Sequence, residues 1–256
     1  MDRTDAVKAQ PEMLIKTDGD FWGFGADGHF DFAGKYKGKY SRSASNSSWF
    51  NRISFKEGSM GAEVTRIDSG ETWLLNCTGG GMSVNYMGVD FGGNDPYTCD
   101  ITQDGKKVGE FAMEPKSALI DISFEKKETG VVRIGSTHFN VETVHTSPDA
   151  MMAVDIPLGY SFKEGTQEIA AVQTNGTIAV QMLPELSEQK KDVIAIGAVA
   201  SALSCVLRNS HHIKRHKKTK PSTFLRAFIA CTHRDKWSTT SLIFPYTAWA
   251  LIHDVS

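Results

Sequence analysis

The 256-residue chain predicts a mainly β protein, a closed antiparallel β-barrel enclosing a hydrophobic C-terminal helix. Three observations lead there. From Met13 to Met182, about fourteen short apolar runs are separated by turn signals such as Asp104-Gly105, Glu57-Gly58-Ser59 and Asp68-Ser69-Gly70. The run Val193 to Leu207 (VIAIGAVASALSCVL) is helical in length and has no polar side, so it must be enclosed. Antiparallel strands in such number lose their edges by closing, and a barrel with the helix in its lumen meets both demands at once. A conventional sandwich leaves the helix without a place.

Taken in order, residues 1–11 read as a mobile lead-in. Met13-Leu14-Ile15 opens the first strand, Phe21, Trp22 and Phe24 the next, and Ala26-Asp27-Gly28 a turn before His29 to Phe32. Residues 34–48 (GKYKGKYSRSASNSS) show no apolar period and read as a loop or irregular edge, with Lys35, Lys37, Lys39 and Arg42 as a candidate anion-binding face. Strands resume at Trp49 to Lys56, Ala62 to Ile67 and Thr72 to Cys77. Gly79-Gly80-Gly81 lacks the Gly-Lys-Ser/Thr of a nucleotide loop and reads as a hairpin tip. Tyr97 to Met113 is the clearest hairpin, and further strands are expected over Ala118 to Glu125, Val131 to Ile134, His138 to Val144, Met151 to Asp155, Tyr160 to Lys163, Glu168 to Gln173 and Thr177 to Met182.

The helix itself is placed over residues 187–207. Ser187 is the expected N-cap, with Glu188 in the first turn favoured by the helix dipole. Val193 to Leu207 spans roughly 22 Å at 1.5 Å per residue. A hydrocarbon core of about 30 Å is longer than that, which favours a core helix over a membrane span.

Charge divides the chain. Residues 1–207 carry 19 Lys and Arg against 28 Asp and Glu, whereas residues 208–256 carry 9 against 2. The organisation that follows is a lead-in, a barrel over 12–207, and a basic then apolar extension over 208–256. Its basic run holds Lys214, Arg215, Lys217, Lys218 and Lys220, a composition that attracts anionic lipid, nucleic-acid phosphate or a nuclear import receptor. Cys77, Cys99, Cys205 and Cys231 have neither zinc-knuckle spacing nor the density of a disulfide scaffold, so free thiols are expected. The N-terminus has no apolar signal run, and a cytoplasmic address is expected.

No motif for catalysis, a metal or a cofactor stands at diagnostic spacing. His138 and His145 are seven apart and would face opposite sides of a strand. His212 and His216 lie four apart without the carboxylate of an HExxH site. The chain therefore reads as a non-enzyme with no cofactor.

Two stretches carry a resemblance: DITQDGKKVGEF (Asp100 to Phe111) and the strand and helix from Gly176 to Leu207. Together they are similar to the tubby C-terminal-like superfamily, which includes tubby domains, LURP-one-related proteins and phospholipid scramblases and shares a closed barrel around a hydrophobic C-terminal helix. The resemblance implies a module that binds anionic phospholipid or a protein partner. The chain has no cysteine cluster or proline-rich segment of the scramblase kind, which sets lipid translocation second. A third expectation is a carbohydrate-binding sandwich using Trp22, Trp49 and Trp73.

Overall fold

The computed structural model describes residues 1–18, 27–42, 59–79, 84–86, 89–91, 96–115, 128–148, 153–154 and 157–216. A short helix α1 (Asp5–Lys8) precedes β1 (Met13–Thr17), β2 (Asp27–Phe32), β3 (Tyr36–Ser41), β4 (Met60–Arg66) and β5 (Thr72–Thr78). Then come β6 (Val84–Tyr86), β7 (Val89–Phe91), β8 (Tyr97–Gln103), β9 (Lys106–Pro115), β10 (Glu128–Ile134) and β11 (Thr137–Val144). The series ends with β12 (Gly159–Glu164), β13 (Gln167–Gln173), β14 (Ala179–Met182) and the helix α2 (Glu188–His216).

Twelve strands close into one antiparallel barrel, in the order β1-β14-β13-β12-β11-β10-β9-β8-β5-β4-β3-β2, while β6 and β7 form a separate two-stranded sheet. The seam joins the first and last strands, with Met13 opposite Val180. Alternation is the local cause of the barrel: β2 reads exposed, buried, exposed, buried, with Phe30 and Phe32 inward, and β5 buries Trp73, Leu75 and Cys77 in the same way. At the β8–β9 tip, Asp104 (φ 50°) and Gly105 (φ 75°) both take the left-handed conformation that a two-residue hairpin demands.

The helix occupies the lumen. Val193, Ile194, Ala195, Ile196, Ala198, Val199, Ala200, Ser201 and Leu203 are all at most 1 % exposed, on every side of the helix. They face β4, β5 and β10 to β13. Wall and helix approach closely at Gly197, where a Cβ would lie 2.6 Å from the Phe162 ring. Hydrogen bonds fix the direction of travel. Tyr36, at the start of β3, donates to Asp192 (2.8 Å); Tyr97, at the start of β8, donates to the Ala200 carbonyl (3.0 Å); the Tyr160 hydroxyl on β12 lies 2.6 Å from that of Ser204.

The barrel thus has an upper end, where α2 enters, and a lower end toward which it runs. The short turns β2–β3, β4–β5, β8–β9, β10–β11 and β12–β13 all lie at the upper end.

Several expectations need correction. Residues 36–41 are a fully paired wall strand, not a loop: in YKGKY the tyrosines face inward and the lysines outward, and a Cβ on the glycine between them would lie 1.9 Å from the Glu63 carbonyl and 2.4 Å from the Phe30 ring. Asp27-Gly28 belongs to β2, with Gly28 opposite Tyr40, and makes no turn. Cys77 and Cys99 are opposite one another on β5 and β8 and form a buried disulfide, so they are not free thiols. The spacing of 22 residues gave no hint of a pairing set by strand register.

Residues 1–11 are seated rather than loose. They lie against the outside of β12, β13 and β14, where Glu168 accepts from the Thr4 backbone N–H (2.6 Å), the Thr4 hydroxyl (2.7 Å) and the Ser161 hydroxyl (2.6 Å). Arg3 bonds Gln181 and Gln173, and Val7 is fully buried. Finally, α2 runs nine residues past the expected stop at Leu207, to His216. The strands expected at Phe21 to Phe24, Trp49 to Lys56, Ala118 to Glu125 and most of Met151 to Asp155 lie outside the described residues, as does everything after His216.

Candidate functional site

Two polar constructions stand at the upper end. The first seats the helix. Ser187 caps α2 by accepting from the Lys190 backbone N–H (3.3 Å), and Asp192, one turn further in, accepts from Tyr36 and from Arg66 Nη1 (2.9 Å). Arg66 also reaches Asp68 (2.8 Å) and Glu71 (3.3 Å) at the β4–β5 turn. Burial raises the Asp192 carboxyl above its ordinary value, although Tyr36 and Arg66 pull the other way. Burial, followed by the hydrogen bond to Asp192, pushes the Tyr36 phenol well up. This is a lock between plug and wall, with its polar atoms satisfied within the protein.

The second construction is open. A cleft of about 230 Å³ lies between the tips of the β10–β11 and β12–β13 hairpins and the first turn of α2. Ser136, Thr137, His138 and Asn140 come from the first hairpin, Lys163, Glu164 and Gly165 from the second, and Lys190 from the helix. The sheet register explains the gathering: Asn140 is opposite Lys163, and His138 lies two residues toward the tip on the same outer face. Gly135 (φ 58°) and Gly165 (φ 62°) turn the two hairpins tightly enough to leave the space. Each lysine is held by one carboxylate. Lys163 meets Glu142 at 2.8 Å, and Lys190 meets both oxygens of Glu164 at 2.7 Å.

The expected basic face is dispersed. Lys35 is exposed at the upper end, Lys37 is exposed on the outer wall, Lys39 pairs with Glu63 (3.3 Å) and Arg42 follows the lower end of β3. Lys214 and Arg215 lie on the last turns of α2, and Lys217, Lys218 and Lys220 lie outside the described residues. The strand runs the length of the wall, so its first four cations do not form one patch. Arg42 alone among them shares the lower end with the advancing α2.

The histidines go separate ways. His145 is buried, its Nδ1 donating to the Val154 carbonyl (2.8 Å) and its Nε2 beside the Thr143 hydroxyl (3.0 Å), a structural role. His138 is exposed in the cleft. Among the described residues no three His, Cys, Asp or Glu side chains gather as metal ligands do, and no helix is long and apolar enough to cross a membrane. Trp73 is buried in the core, while Trp22 and Trp49 lie outside the described residues.

Sequence reasoning missed the cleft entirely. Lys163 and Lys190 are 27 positions apart, each reads singly as a solvated surface residue, and only the closing of the barrel over the helix brings them to one place. No family model, curated protein or solved structure matches this chain.

Proposed function

We propose that this chain is a non-catalytic, tubby or LURP-one-like module that docks on anionic phospholipid with the lower end of its barrel. One observation carries the reading. The helix does not stop at Ser204, level with the lower rim, but continues to His216, about 18 Å further at 1.5 Å per residue. Arg208, Lys214 and Arg215 lie on that continuation, Lys217, Lys218 and Lys220 follow in sequence, and Arg42 follows the wall strand β3 at the same end. The barrel wound around a hydrophobic helix supports the tubby-like relation. Basic residues near an anionic leaflet contribute roughly 1 kcal/mol each and lose it within a Debye length, which suits peripheral attachment at the cytoplasmic face. The buried Cys77–Cys99 bridge joins β5 and β8 inside the wall, toward the same lower end of the barrel.

Lipid translocation would require α2 to leave its enclosure and the Asp192–Tyr36–Arg66 lock to open, and nothing in the geometry favours that. Carbohydrate binding loses one of its three aromatic faces with Trp73 in the core. Docking is tested by co-sedimentation with phosphatidylserine vesicles at low and high salt. Wild type is expected to pellet at low salt, and the chain with Lys214, Arg215, Lys217, Lys218 and Lys220 all changed to Ala is expected to bind on the order of a hundredfold or more weaker. Equal binding by the two, or binding that salt leaves unchanged, rejects the proposal.

A further inference from the structure

The cleft between the hairpin tips is not used by docking at the lower end, because it opens at the opposite end of the barrel. Its composition is nonetheless selective. Lys163 and Lys190 bring ammonium groups from two separate elements, Asn140 contributes an amide, and Ser136 and Thr137 contribute hydroxyls, against Glu164 in the lining and Glu142 behind Lys163. Such a set has donors in excess and answers a ligand rich in acceptors and carrying negative charge. Its volume of about 230 Å³ gives room for a phosphate and a few further atoms.

We infer that this cleft binds the phosphate monoester of a small soluble molecule. Lys163 and Lys190 clamp the phosphate oxygens from the wall and from the plug helix, while Asn140 and the β10–β11 hydroxyls meet the rest of the ligand. The two carboxylates then act as internal competitors. Glu142 and Glu164 hold the lysines at 2.8 and 2.7 Å until a phosphate takes their place, so the site exchanges one charged partner for another and exposes no bare cation when empty. Since Lys190 bonds β12 while Asp192 bonds β3 and β4, an occupied cleft also ties the first turns of the helix to the wall on the side across from the existing lock.

The assay is a titration of the full chain, without vesicles, by calorimetry and by amide chemical shifts, using glycerol 3-phosphate and inorganic phosphate as probes. Saturable binding is expected, with shifts confined to the turns at 135–137 and 164–166 and the first turn of α2. Lys163→Ala and Lys190→Ala should each weaken it about tenfold. Glu164→Gln should strengthen it severalfold, an effect that a merely structural ion pair would not produce. A parallel arm uses vesicles containing phosphatidic acid. Binding to those vesicles through Lys163 and Lys190, with no binding of the soluble probes, would overturn the assignment to a soluble ligand, as would probe binding that the lysine variants leave unchanged. Because the soluble arm contains no membrane, its result is independent of docking at the lower end.

Discussion

Gly197 is where the enclosure is most directly measurable. A Cβ built on it would sit 2.6 Å from Phe162 Cε1 and 3.2 Å from Cζ, with Val132 Cγ2 next at 3.5 Å. Phe162 and Val132 are fully buried, so the ring has no open space to swing into. Two effects oppose one another in Gly197→Ala. Replacing glycine in a helix interior gains about 1 kcal/mol of intrinsic propensity, whereas overpacking a filled core costs about 1–3 kcal/mol. The net expectation is a loss of about 1 kcal/mol in urea denaturation. The decisive measurement is a double-mutant cycle with Phe162→Leu, which shortens the opposing side chain: contact predicts a favourable coupling of about 1 kcal/mol between the two changes, whereas separated sites add to within about 0.5 kcal/mol. A Gly197→Ala chain more stable than wild type, together with strict additivity, would show propensity acting alone and would refute a helix pressed against the wall.

Two other perturbations test different joints. Glu168→Ala leaves three donors, the Thr4 N–H, the Thr4 hydroxyl and the Ser161 hydroxyl, without their acceptor; a loss of about 1–3 kcal/mol and faster amide exchange over residues 2–8 are expected, and unchanged exchange at Thr4 would count against the seated N-terminus. Asp192 has a folded pKa raised above its ordinary 3.8, so its contribution is complete below that value and is lost as pH rises through the higher folded one. Relative to Asp192→Asn, which titrates no proton there, wild type should therefore gain stability between neutral pH and pH 4 in urea titrations; a difference that stays flat or moves the other way would contradict burial as the dominant influence on this carboxyl.

How much could be read in advance varies with the range of the interaction. The Asp104-Gly105 hairpin was legible because its turn chemistry and its two flanking strands lie within a few residues of one another. The strand over Tyr36–Ser41 was not, although its alternation is plain once the inward position of Gly38 is known: a glycine at a core position removes the apolar signal, and what requires it there is the Glu63 carbonyl and the Phe30 ring on the two neighbouring strands. Similarly, the lead-in looked loose because its anchors, Glu168 and Gln181, are more than 160 positions away. The basic residues were correctly recognised as charges, but charge alone carries no position, and the wall strand spread Lys35 to Arg42 from one end of the barrel to the other.

By itself the sequence determined that a helix with no polar side had to be surrounded, and that strands with alternating faces had to do the surrounding. Those are demands of burial and periodicity, satisfied residue by residue along a local stretch. Tertiary structure decided which end of the cylinder the helix enters, that Cys77 meets Cys99, that Tyr36 meets Asp192 across 156 positions, and that two lysines from unrelated elements share one cleft. Register and closure made those choices, since a slip of one residue between strands reverses every side chain from lumen to solvent while leaving the local pattern unchanged.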